Sequence, residues 1–202
     1  GLARSAGRPG VVGWADESGG ERRAGVLAAL SGKPVPMLTP LSFTFHNAAT
    51  VSRQWEQRRL AMLRGLSTGE LTLAVATVEG LMQRTMEPEV LERCCVTLEA
   101  GKSHDLNDLT ETLTAAGYTR CDQVEGPGQF ALRGGILDVF SPLMDQPVRC
   151  EFFDDEIDSM GSFDPATPRR TANVTSALLL PAAEVLPSAV PGGATDLAER
   201  LL

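Results

Sequence analysis

The stretch VRCEFFDDEID, residues 148–158, decides how the second half of this chain folds. Read as a strand, it sends alternate side chains to opposite faces, so Phe152 and Phe153 cannot enter one core together. Val148, Cys150 and Phe152 form the apolar side, which leaves Arg149, Glu151 and Phe153 facing out. The DDE that follows reads as a hairpin turn. The outward phenylalanine needs a partner of its own.

The neighbouring segments have the same strand character. In QFALR (129–133), Phe130 and Leu132 face the core, and Gln129, Ala131 and Arg133 face away. Leu137 and Val139 of ILDVF match that inward parity if one extra residue, a bulge, is inserted at Gly134-Gly135. With SPLMDQP as the next turn, Asp138 is predicted to lie opposite Arg149. From Tyr118 to about Leu180 the signals are strand and turn throughout, ending in IDSMGSFD and TSALLLP. Before them, SHDLNDLTETLTAAG (103–117) sets Leu106, Leu109, Leu113 and Ala116 at helical spacing, with Ser103 or Asp105 to cap its start and Gly117 to close it. An antiparallel meander with one helix on one face is expected, preceded by the strand CVTLEAG (95–101).

The first half alternates strands and helices. VVGW (11–14) and VPML (35–38) flank the helical stretch ERRAGVLAALSG, giving β-α-β. Residues 50–66 predict a long helix with Val51, Trp55, Met62 and Leu66 near one face and Arg53, Gln57 and Arg58 largely elsewhere. LTLAVAT (71–77) is a continuous apolar run of the kind buried on both faces of a parallel sheet, followed by a short helix, VEGLMQRT. The expected fold class is therefore α/β with an inserted α+β domain, split near residue 93. Residues 1–93 form the first layer, which resumes over 181–202, and residues 94–180 form the insert.

Composition narrows the function. With 202 residues, 43% of them hydrophobic, the chain can bury a core, and a net charge of -8 disfavours steering onto a phosphate backbone. No signal peptide is visible and no apolar run approaches the ~18 residues that span a bilayer, so a cytoplasmic protein without membrane contact is expected. Cys94, Cys95, Cys121 and Cys150 show no CxxC pair, and His46 and His104 add no metal spacing, so reduced core thiols are expected. The chain begins with Gly, and its last residues, ATDLAERLL, read as an amphipathic helix. A fragment of a longer protein is expected.

Catalytic motifs are tested next. SGKP (31–34) has the lysine of a phosphate loop but lacks the preceding glycine and the hydroxyl of GxxxxGK[ST], and reads as a helix stop and turn. Asp154, Asp155, Glu156 and Asp158 lack calcium-loop spacing and read as a solvated turn. Neither histidine sits beside a nucleophile in a recognisable pattern. No catalytic, metal or cofactor residue is assigned. What remains is the outward face of the sheet, with two arginines and a phenylalanine, the residue types enriched at binding hot spots. Residue pattern leaves two readings open. Either another layer of this chain buries Phe153 while the arginines pair with Glu151 or Asp138, or the face is a docking surface.

The stretches GQFALRGGILDVF and PVRCEFFDDEIDSMGSFDPATPRR resemble the bacterial transcription-repair coupling factors (Mfd), and RGGILDVF and EFFDDEID also resemble the related UvrB. HNAATVSRQWEQRRL and VATVEGLMQR are similar to the same region. The resemblance implies a degenerate RecA/UvrB-like parallel layer without a nucleotide site, carrying an inserted domain that binds the repair protein UvrA. It implies Arg133, Arg149 and Phe153 as the UvrA contacts, and a role in bringing excision repair to stalled RNA polymerase. This fragment is then not an enzyme. The ATP-driven translocase, with its ATP and magnesium, and the contacts to RNA polymerase and DNA belong to other parts of the full-length protein. Cys150 and Gly161 depart from the aliphatic and more polar residues expected there. The alternative is a UvrB-type helicase domain that binds nucleotide or DNA, although the single tyrosine, Tyr118, offers little for an aromatic DNA clamp.

Overall fold

The structure, a computed structural model, describes residues 9–40, 48–142, 144–167 and 169–186. The helix expected at 194–202, His46, and the side chains of Val51 and Arg53 lie outside the described residues. The chain divides into two compact units, Gly1–Pro88 and Glu89–Leu202.

In the first unit, β1 (Gly10–Trp14), β2 (Met37–Leu38) and β3 (Leu73–Thr77) form a parallel sheet in the order β1-β3-β2. The apolar run at β3 is central, and its alternation serves two layers. Val75 packs with Ala24 of α1 (Glu17–Ser31), while Ala74 and Ala76 pack with Met62 of α2 (Ala48–Thr68). The expected face of α2 needs correction. Met62 is buried, but Trp55 is 43% exposed, with the Arg58 guanidinium 5.4 Å from its ring centre. Gln57 and Arg59 are buried instead. The helix presents the 59/62/63/66 stripe inward, and Arg59 reaches the carbonyl oxygens of Thr39 (3.1 Å) and Arg84 (3.5 Å), so a buried cation satisfies loop backbone. Two short helices follow, α3 (Val78–Met82) and α4 (Pro88–Arg93), the second of which the sequence pattern did not indicate.

The second unit is built on a six-stranded sheet. It comprises β5 (Thr119–Arg120), β6 (Gln129–Arg133), β7 (Ile136–Phe140), β8 (Val148–Phe153), β9 (Glu156–Phe163) and β10 (Arg170–Asn173), adjacent in chain order. All neighbours are antiparallel except β5 and β6, which run parallel. The expected final strand leaves this meander. β11 (Ser176–Leu179) pairs antiparallel with β4 (Val96–Glu99) as a separate ribbon, because Leu98, Ala177 and Leu179 share a core with the sheet's inner face. The helix α5 (Leu106–Ala115) contributes Leu109 and Leu113 to the same core. Its start is capped by Asp105, which accepts from the amides of Asn107 (2.8 Å) and Asp108 (3.0 Å).

Gly134-Gly135 is a two-residue hairpin turn and not a bulge. Arg133 pairs with Ile136, Leu132 with Leu137 and Phe130 with Val139, so inward parity is preserved by the reversal itself. Gly134 takes φ 59°, a left-handed conformation that a glycine adopts at little cost. The irregularity lies in β9, where Glu151 faces Ser159 but Phe152 faces Ile157, leaving Asp158 as an extra residue. That insertion lets Ile157 and Met160, three apart in sequence, both enter the core.

Candidate interaction face

The strand register sets the outward face of the sheet. Asp138 on β7 lies opposite Ala131 on β6 and Arg149 on β8, and Arg149 in turn lies opposite Gly161 on β9. The next outward row joins Arg133, Ile136, Glu151 and Ser159. Phe153 ends β8, just before the Asp154-Asp155 turn, in which Asp154 has φ 56°.

One carboxylate organises the centre of this face. Asp138 is only 3% exposed at its side chain. Its Oδ1 accepts from Arg149 Nε at 2.7 Å, and its Oδ2 accepts from Arg149 Nη2 at 2.8 Å and from Arg133 Nη2 at 2.8 Å. Arg133 Nη1 donates to the Asp122 carbonyl at 2.8 Å. The Arg149 guanidinium also lies 4.8 Å from the centre of the buried Phe163 ring, a cation–π contact. The hydrogen bonds that Arg149 donates to Asp138 raise its pKa above the ordinary value, against a smaller opposing effect of burial. Nearby, Arg170 donates to the Met160 carbonyl.

The two halves of the outward face differ. One half is sealed, because Ala131, which parity sends outward, is buried with Val124 of the β5–β6 connection and with Phe140. The other half is open, with Phe153 80% exposed, Ile136 exposed and the Arg133 side chain 53% exposed. Arg149 is more enclosed, at 27%. Glu151, the other acid available to the arginines, takes a hydrogen bond from Ser159 (3.0 Å). The structure therefore combines elements of both sequence readings. The arginines do pair with Asp138, and among the described residues no second layer covers the Phe153 ring.

The remaining motif candidates have structural roles. Gly32 closes α1 in a left-handed cap with φ 64°, its amide on the Ala28 carbonyl (2.9 Å), so SGKP lies at the wrong helix end to cradle a phosphate. The start of α1 is capped by Asp16, which accepts from Gly19 N at 2.7 Å and Ser18 Oγ at 2.9 Å; the Gly19 amide bond in particular lowers its pKa. Tyr118 is buried, and its hydroxyl donates to the Leu180 carbonyl at 2.5 Å. The described residues contain no cluster of three or more metal-ligating side chains and no helix long and apolar enough to cross a membrane.

Residues 96–184, the span holding this face, match the UvrB interaction domain family. The chain is 33% identical over 138 residues, 68% of its length, to the transcription-repair-coupling factor of Bacillus subtilis. It is 34% identical over 154 residues (76%) to that of Myxococcus xanthus, and 31% identical over 174 residues (86%) to that of Haemophilus influenzae. The chain belongs to the transcription-repair-coupling factors. It corresponds to their UvrB-like N-terminal region, as the motifs RGGILDVF and EFFDDEID indicated. The matched parts span 12%, 12% and 15% of these three coupling factors. Sequence reasoning singled out Arg133, Arg149 and Phe153, and it predicted the pairing of Asp138 with Arg149. It missed the sharing of one carboxylate by both arginines and the stack on Phe163, because neither Arg133 nor Phe163 is a direct cross-strand neighbour of the residue it touches.

Proposed function

We infer that this chain is a protein-interaction module of a transcription-repair-coupling factor, and that it docks UvrA on the open half of its six-stranded sheet through Arg133, Arg149 and Phe153. The observation carrying this reading is a benzyl ring left 80% exposed at the end of β8, on the same outward side as guanidinium groups already fixed by a buried acid. An exposed ring releases water without unfolding anything, and a fixed guanidinium loses little further freedom on binding. In the cell the module recruits excision repair to stalled RNA polymerase, in the cytoplasm. RNA polymerase binding, DNA binding and ATP-driven translocation are proposed for the whole factor and not for this chain.

The first layer, 1–93 resuming over 181–202, is read as a degenerate RecA/UvrB-like layer around the 94–180 insert. The parallel β1-β3-β2 sheet supports it. So does Asp16, whose carboxylate accepts from the Gly19 amide in the first turn of α1, after β1, where an anionic phosphate would be repelled. The module is accordingly read as non-enzymatic. Capture by immobilised UvrA tests the partner: Phe153→Ala is expected to weaken it with thermal unfolding unchanged, and full retention would refute the assignment. Stabilisation of the chain by ATP, or salt-sensitive binding to DNA, would favour a UvrB-type domain instead.

A further inference from the structure

We propose that Asp138 is the positioning residue of this face, a buried carboxylate that sets Arg133 and Arg149 in their binding geometry without touching a partner. The proposal rests on the docking reading above and deepens it. With 3% of its side chain exposed, Asp138 has no surface to offer a second protein. It nevertheless holds three N–H groups from two arginines on different strands, which would otherwise repel each other. The bidentate grip uses Nε and Nη2 of Arg149, and the Phe163 ring lies against the same guanidinium. Arg133 is held at both terminal nitrogens, by Asp138 and by the Asp122 carbonyl. Nη1 of Arg149 and Nε of Arg133 have no hydrogen-bond partner among the described residues. Those donors, on a group of three residues with one net positive charge, suit a carboxylate on the partner surface, next to an apolar site for Phe153.

The acid belongs on the sheet and not on the partner for a geometric reason. Arg149 and Asp138 are directly opposed across β7 and β8, so the bond length is set by strand spacing and the guanidinium is placed before any encounter. Asp138→Asn keeps the shape, removes the charge, and turns one acceptor into a donor facing a guanidinium.

Affinity for UvrA and arginine side-chain NMR on the 202-residue chain test this together. Asp138→Asn is expected to lower affinity about tenfold with a cooperative unfolding transition retained, and to shift the Arg149 Nε–H resonance and speed its exchange. In the Arg133→Ala/Arg149→Ala background the same change is expected to have no further effect on affinity, since Asp138 acts only through those side chains. Losses that multiply in that background, or an unchanged Arg149 resonance, would overturn the proposal. If the Asn variant does not fold, Asp138→Glu keeps the charge but displaces both guanidiniums. Weakened affinity then supports the role, and full affinity with a displaced Arg149 resonance refutes it. Should the unsubstituted chain fail to bind UvrA, the partner reading falls, and the Arg149 resonance still decides whether Asp138 sets the arginine.

Discussion

Asp138 and Arg149 stand directly opposite each other on neighbouring strands and are joined by two hydrogen bonds of 2.7 and 2.8 Å. A fork-on-carboxylate pair of this kind needs a planar, five-donor cation. Lysine carries the same charge as a point and cannot make both bonds. Arg149→Lys is therefore expected to lose about 1–3 kcal/mol of stability by leaving part of a buried acid unsatisfied. Urea unfolding should show a lower midpoint at an unchanged m-value.

Phe153 should behave in the opposite way. Its ring is already in water, so Phe153→Ala is expected to change folding stability by less than ~0.5 kcal/mol. The same change should weaken UvrA binding by about 1–2 kcal/mol if the ring is a docking anchor. Titration calorimetry read beside a thermal melt separates the two. A large loss of stability would mean that the ring is covered in solution.

Cys150, on the inner side of the same strand, is fully buried, and burial pushes its thiol up to about 12. At pH 8 it is expected to be the last of the four cysteines to react with iodoacetamide, and to label only at the rate of unfolding. A raised folded pKa also has a signed effect on stability. The neutral thiol's contribution is fully present below pH 9.0 and declines as pH rises towards about 12, because the unfolded chain gives up that proton first. Replacing Cys150 with Ala should flatten this alkaline decline.

Asp16 gives the acid-side counterpart. Its carboxylate accepts from the Gly19 amide, which holds its pKa below the ordinary value of 3.8. Stability from this cap is present above that value and is lost as pH falls through the lower folded pKa. Asp16→Ala should lower Tm at neutral pH, and the melts of the two proteins should converge in strong acid. Circular dichroism across that pH range measures the gap.

Much of the candidate face was legible from period-two alternation alone. Alternation put Arg133, Arg149 and Phe153 on one side and Cys150 and Phe152 on the other, and only one parity buries the apolar set. The burial of β3 on both faces was legible for a similar reason, since the four residues Leu73–Ala76 carry no polar side chain and have no face to give to water. Other features were not legible. A glycine pair between two strand halves fits either a bulge or a tight reversal, and parity can be satisfied both ways. The outward Ala131 carried no sign that Val124 would cover it, because that contact comes from a loop. In α2, the burial of Arg59 depended on the carbonyls of Thr39 and Arg84, which are far along the chain.

By itself, then, the sequence determined which side of β6, β7 and β8 is apolar, most of the course of α1, α2 and α5, and, through RGGILDVF and EFFDDEID, the family. These properties follow from local backbone geometry and from residue order. Tertiary structure alone decided that β11 leaves the meander to pair with β4, that one half of the outward face is closed, and that two arginines converge on one buried carboxylate. Each of those depends on which distant segments meet, and hydrogen-bonding and apolar surfaces choose their partners only once the chain is compact.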